Sequence, residues 1–144
     1  MDTEQLYQDR ILAFARAARQ QTRLVDPGYS ASVTNPSCGD QVQLDLELDA
    51  AGRITRIGAV ATGCALCEAA TGLLTETLVG VHRDDVMTMD THLTRWLQGE
   101  SDALCLDGQE AFTPVRDFTT RHGCVRLPFQ AAAKAIKGTG CFIN

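Results

Sequence analysis

The sequence predicts an α+β fold in which a small antiparallel sheet packs against helices. One observation gives the sheet: Val42, Leu44, Leu46 and Leu48 alternate with Gln43, Asp45, Glu47 and Asp49, and a turn and a second apolar run follow directly. Another gives the helices, since elsewhere apolar residues recur at three- and four-residue steps. The chain has 144 residues, of which 44% are hydrophobic and 22% charged, enough for one domain, 1–144, to bury a core.

Taken in order, Leu6, Tyr7, Ile11, Phe14 and Ala18 form the stripe of an amphipathic helix from Thr3 to about Gln20. The stretch from Asp26 to Ser37, with two prolines, a glycine and short hydroxyl residues, reads as a loop. The strand at 42–48 comes next. Asp49-Ala-Ala-Gly52 turns the chain, and Ile54, Ile57, Ala59 and Val60 complete an antiparallel hairpin that ends at Thr62-Gly63-Cys64. Ala70, Leu73, Leu74, Thr77 and Leu78 fit a helix from Cys67 to about Val79, with Gly80 as its terminating glycine. Val86, Met89, Leu93, Trp96 and Leu97 fit another from Asp84 to Leu97, stopped at Gly99. Thr113-Pro114 can start a helical turn, and the alanine-rich stretch 125–136 is expected to be helical after Pro128. The glycine-rich tail from about 138 is expected to be disordered.

Net charge is −5 and the basic residues are dispersed, so the chain has no electrostatic footprint for a nucleic-acid backbone. The start lacks the pattern of a secretory signal, and no apolar run approaches the roughly 20 residues that span a bilayer. A cytoplasmic location is therefore expected, with no membrane partner. In a reducing compartment six cysteines point to metal binding or thiol chemistry rather than to bridges.

Three cysteines stand at junctions. Cys38-Gly39-Asp40 puts a thiol and a carboxylate two residues apart where a loop becomes a strand, and the glycine lets both converge on one ion; an ordinary turn is the alternative. Gly63-Cys64 lies between a strand and a helix, where free amide N–H groups favour a thiolate; a small buried hydrophobe is the alternative there. Cys124 follows Arg121-His122-Gly123 in a similar loop-to-helix position, with cationic neighbours. Three thiols and a carboxylate suit tetrahedral zinc and are compatible with an iron–sulfur cluster, but only the fold can bring them together across such gaps. Cys64-Ala-Leu-Cys67 is formally a redox C-x-x-C, yet the chain lacks the strand–helix alternation of a βαβ redox domain. Cys67 is either an alternative ligand or sulfur acceptor, or a buried helix residue. Cys105 and Cys141 carry no motif, and His122 alone among the histidines is close enough in sequence to serve as a substitute ligand or proton shuttle.

Asn35-Pro-Ser-Cys-Gly-Asp40, then Thr62-Gly-Cys64 with Ala69 and Ala70, then Arg121-His-Gly-Cys124-Val-Arg-Leu-Pro-Phe129 resemble, in order and context, the U-type scaffold family of iron–sulfur cluster assembly. The resemblance covers nearly the whole chain. The long interval from Cys64 to Cys124 is similar to that of the SufU-like branch, and Gly123 stands where the housekeeping branch has a histidine. Cys67 replaces a usual serine, and Phe129 stands where a tryptophan is often found. The resemblance implies a sandwich of about three strands with helices, and metal ligands at Cys38, Asp40, Cys64 and Cys124, with Arg121 as the basic residue before the last cysteine. It implies zinc and receipt of persulfide sulfur from a pyridoxal phosphate-dependent, SufS-like cysteine desulfurase, with Cys38 as first acceptor candidate beside Cys64 and Cys124. The alternative implied is a scaffold for iron or a [2Fe–2S] cluster, passed on to downstream iron–sulfur assembly proteins.

Overall fold

The computed structural model describes residues 3–138. Its elements are α1 (Thr3–Arg19), β1 (Tyr29–Thr34), β2 (Gln41–Leu48), β3 (Ile54–Thr62), α2 (Ala65–Thr77), α3 (Arg83–Leu97), two 3-10 segments (Gln109–Asp117 and Thr119–Arg121) and α4 (His122–Gly138). The strands form one antiparallel sheet in the order β1-β2-β3, which is the α+β architecture the sequence predicts.

The hairpin forms as its alternation requires, with Leu44 opposite Ala59 and Leu46 opposite Ile57. Val42, Leu44, Leu46 and Ala59 are fully buried beneath α2 and α4, among Leu73, Leu74, Phe129 and Ala132. Burial of each large apolar side chain contributes about 1.5–3 kcal/mol. Among the described residues no helix is long and apolar enough to cross a membrane.

Two expectations need correction. The stretch read as a loop supplies the first strand, for Tyr29–Thr34 pairs along its whole length with Leu46–Gln41. Tyr29, Ala31 and Val33 turn toward the core, while Ser30, Ser32 and Thr34 take the exposed side, so the hydroxyl residues that suggested a loop are the outer face of an edge strand. The final helix also starts earlier than Pro128. It begins at His122, so Cys124 lies in its first turn and Pro128 in its interior, where proline cannot donate to the Cys124 carbonyl four residues back. The buried Val125, Leu127 and Phe129 on either side hold this stretch in helical form despite the lost bond. The Thr113-Pro114 turn lies inside the longer 3-10 segment. The expected disorder of the tail, and Cys141 within it, fall outside the described residues.

On the other face of β2, Asp45 is fully buried and has four donors: Arg23 Nε at 2.6 Å, Arg23 Nη2 at 2.9 Å, Ser30 Oγ at 2.6 Å and the Leu24 N–H at 3.0 Å. These contacts tie the link between α1 and β1 to the middle of the sheet. Burial pushes the Asp45 carboxyl up, but the bonds from Arg23, Ser30 and Leu24 outweigh it and its pKa ends below the ordinary value. The stabilisation is therefore complete above the unfolded value of 3.8 and is lost as pH falls through the lower folded value. Asp45→Asn should cost about 1–3 kcal/mol at neutral pH. Urea unfolding between pH 7 and 2 should show the variant losing less stability on acidification than the wild type.

Candidate metal centre

The sheet register determines which loops meet. Thr34 and Thr62 both pair with Gln41, so the end of β1, the start of β2 and the end of β3 share one edge of the molecule. Asn35 N–H bonds Asp40 O at 2.7 Å and Gly39 N–H bonds Asn35 O at 2.8 Å, closing a tight loop that carries Cys38. Gly39 sits at φ +80°, a conformation glycine adopts at little cost. At the other corner, Cys64 is the N-cap of α2, and its N–H donates to Asp40 Oδ1 at 3.2 Å. The first turn of α4 brings Cys124 to the same place.

Cys38 Sγ, a carboxylate oxygen of Asp40 and Cys124 Sγ all lie within 4.8 Å of one another. The Cys64 thiol does not share that mutual spacing, but it adjoins Cys124 and Asp40 closely enough to perturb both. Exposure is graded across the cluster: Cys38 is open to solvent, Cys64 is half-buried, and Asp40 and Cys124 are each 5% exposed. Gly63 makes the cluster possible, because a Cβ at that position would overlap the Asp40 carboxylate.

Asp40 is pulled in two directions. Burial pushes its carboxyl up, but the Cys64 and Cys38 thiols, the Cys64 N–H and the Cys124 thiol together push harder, and its pKa ends below the ordinary value. Asp40 is thus an anion held almost without solvent, and among the described residues its Oδ2 has no hydrogen-bond partner. A buried carboxylate oxygen left unpaired is costly unless a cation takes it. Burial raises the Cys124 thiol, and the nearby Cys64 thiol, Cys38 and Asp40 add to the effect. Only a bound positive charge would reverse that shift and make the thiolate the stable form. Such a donor set is of the kind that suits a zinc or iron ion, with Cys38, Asp40 and Cys124 grouped together and Cys64 beside them.

The other sequence candidates have different surroundings. Cys67 is fully buried in the core, and burial, followed by the Asp40 charge, pushes its thiol up to about 12. It packs as a small apolar residue, as one of its two readings had it. His122 Nε2 lies 3.1 Å from the Val115 carbonyl and 3.2 Å from that of Arg116, two acceptors, so this nitrogen carries the proton and is turned to the 3-10 segment. Arg121 is exposed. Cys105 is exposed and borders a separate cavity of about 560 Å³ with Glu76, Asp85 and His92, which none of Cys38, Asp40, Cys64 and Cys124 lines. Sequence reasoning gave no role to Gly63 or Asn35. The signal for Asn35 was present, since asparagine two residues before Ser37 is the pattern of an Asx turn, and Ser37 N–H does bond Asn35 Oδ1 at 3.0 Å.

A three-stranded sheet covered by helices, with thiols and one carboxylate gathered where strand ends and helix starts meet, defines a small α+β domain with a candidate metal site. The chain belongs to the NifU-like N terminal domain family, whose sequence profile it matches over residues 6–125. It is similar to the iron–sulfur cluster assembly scaffold protein IscU of Streptococcus pyogenes serotype M1, with 24% identity over 78% of this chain and 72% of the relative. It is also similar to the scaffold protein IscU of Thermotoga maritima, with 22% identity over 92% of this chain and 93% of the relative. Among solved structures, the N-terminal part of a nitrogen-fixing NifU-like protein from Brucella abortus superposes with TM-score 0.80 and 26% identity, covering 91% of this chain and 92% of that one. A Fervidobacterium islandicum AW-1 protein named as a cluster assembly scaffold for the SUF system has the same fold, with TM-score 0.80, 20% identity and coverage of 94% and 100%.

Gly63→Ala tests the packing beneath the site. The added methyl should displace Asp40 and lower stability by about 1–3 kcal/mol. Thermal unfolding of the metal-free protein would register it, whereas an unchanged melting temperature would mean that the carboxylate is not held against residue 63.

Proposed function

We propose that this chain is an iron–sulfur cluster assembly protein whose Cys38, Asp40, Cys64 and Cys124 hold a metal centre through which sulfur passes. The observation that carries the reading is the buried Asp40 carboxylate, grouped with the Cys38 and Cys124 thiols, whose Oδ2 has no hydrogen-bond partner among the described residues. The names of the curated relatives support it.

The finer reading is a zinc site that guards a sulfur acceptor. Cys38 is the exposed thiol, on a short loop, so an incoming group reaches it before the half-buried Cys64 or the buried Cys124. The donor would be the persulfide of a pyridoxal phosphate-dependent, SufS-like cysteine desulfurase. The Cys38 thiolate attacks the outer sulfur, the S–S bond of the donor breaks, and the electron pair and a proton go to the donor cysteine. A persulfide remains on Cys38, with no net oxidation. Zinc bound to these side chains would keep the thiolates deprotonated until the partner docks. Asp40, Cys64 and Cys124 hold the loop in register, and Arg121, exposed near the last ligand, is available to a docking partner.

The scaffold names of the relatives favour a second reading, in which the same residues receive iron and sulfide and build a [2Fe–2S] cluster for downstream assembly proteins. Cytoplasmic work with such partners is consistent with either filling.

Metal analysis and a visible spectrum of protein purified without oxygen separate the two. Stoichiometric zinc, lost in Asp40→Ala and Cys124→Ser, is the outcome expected for the acceptor; iron with acid-labile sulfide and a brown colour would favour the scaffold. Metal-free wild-type protein would sink both. Incubated with a cysteine desulfurase and cysteine, the wild type should gain 32 Da by mass spectrometry, a sulfur atom on about every chain when transfer is complete. Cys38→Ser should abolish the gain, and Cys67→Ser should retain it.

A further inference from the structure

Gly123 is an unexpected residue in the first turn of α4. Glycine is the poorest helix former after proline, and residue 123 has no left-handed φ that would require it. Space requires it instead. An ideal Cβ on Gly123 would stand 2.9 Å from Asn35 Nδ2. The orientation of that amide is fixed by chemistry, because its other end faces the Ser37 N–H, a donor, and so must be oxygen.

We infer that Asn35 is a positioning residue that sets the separation of the Cys38 and Cys124 thiols by spanning the two segments that carry them, and that Gly123 is the vacancy it occupies. Its Oδ1 holds the turn one residue before Cys38, its backbone closes the loop onto Asp40 and Gly39, and its Nδ2 rests on the helix one residue before Cys124. Displacing the amide from the helix side pulls on the turn that carries Cys38. Loosening the turn in its turn uncovers Cys124, which is 5% exposed. The inference rests on the metal-site reading for its consequence in binding, but the contact itself is tested without metal.

The variants are Asn35→Ala, Gly123→Ala, the double variant, and Asn35→Asp, which keeps the oxygen acceptor and the shape. In metal-free protein, iodoacetamide labelling read by peptide mass spectrometry compares Cys124 with the exposed Cys105 as internal standard. Asn35→Ala and Gly123→Ala should each raise the Cys124:Cys105 rate ratio several-fold, while Asn35→Asp leaves it near the wild-type value. In competition with a chromophoric chelator, each of the first two should weaken zinc binding by about tenfold, the usual effect of losing a group that orients a ligand. In the Asn35→Ala background, adding Gly123→Ala should change either readout by no more than about twofold, because the collision partner has gone. Independent, multiplying effects of the two substitutions, or unchanged ratios in both, would overturn the inference. Should Gly123→Ala fail to fold, the contrast between Asn35→Ala and Asn35→Asp decides alone: equal labelling in those two removes the positioning role. If wild-type protein binds no zinc while the labelling pattern holds, the functional reading fails and this one stands.

Discussion

The register of β2 is the constraint on which the rest depends. With Gln41 opposite both Thr34 and Thr62, the residues just outside the three strands are brought together: Asn35 and Cys38 before β2, Asp40 at its threshold, Gly63 and Cys64 after β3. A slip of one residue would turn Val42, Leu44 and Leu46 out to water and take Asp40 away from Cys64. Burial of those three side chains is worth, together, a sum comparable with the roughly 5–15 kcal/mol net stability of a domain. The same apolar alternation that makes the sheet therefore holds the loop ends that carry Cys38, Asp40 and Cys64 at one edge.

Two buried carboxylates, Asp40 just before β2 and Asp45 within it, have opposite fates. Asp45 has four donors, among them the bidentate Arg23, and its charge is neutralised within the protein. Asp40, five residues earlier, has one backbone N–H on Oδ1 and the nearby thiols, but among the described residues no hydrogen bond on Oδ2. Asp45 is a fastening between the chain entering β1 and the sheet. Asp40 is a buried anion with one oxygen left without a hydrogen bond among the described residues, beside a Cys124 thiol that burial pushes up, and that unpaired oxygen is what supports a cation there. The graded exposure from Cys38 to Cys124 adds direction, since the Cys38 thiol is the one an incoming group meets first.

The helices contribute by their starts. α2 begins at Cys64, whose N–H reaches Asp40, and α4 begins just before Cys124. Helix starts present unpaired N–H groups and the positive end of the dipole, which suits anionic sulfur and carboxylate. Position 123, which a better helix former would fill, is given to glycine so that Asn35 can lie between the last ligand and the first.

Read alone, the sequence determined the class of fold and named the candidate donors. Period-two alternation gave the β2–β3 hairpin and three- to four-residue steps gave α1, α2 and α3, because these patterns reflect burial on one face and need no knowledge of the partner. The Asn-Pro-Ser-Cys-Gly-Asp, Thr-Gly-Cys and Arg-His-Gly-Cys segments marked the residues that the fold gathers at one corner. Tertiary structure decided what depends on neighbours. Tyr29–Thr34 is a strand because β2 offers it an edge, although its own residues suit a loop. α4 runs through Pro128 because buried side chains on both sides hold it. Cys67 and His122 are close in sequence to ligands but are turned away, one into the core and one to carbonyls of the 3-10 segment. Sequence lists the groups that can coordinate; the direction each side chain takes, and the buried oxygen left without a partner, exist only once the chain has packed.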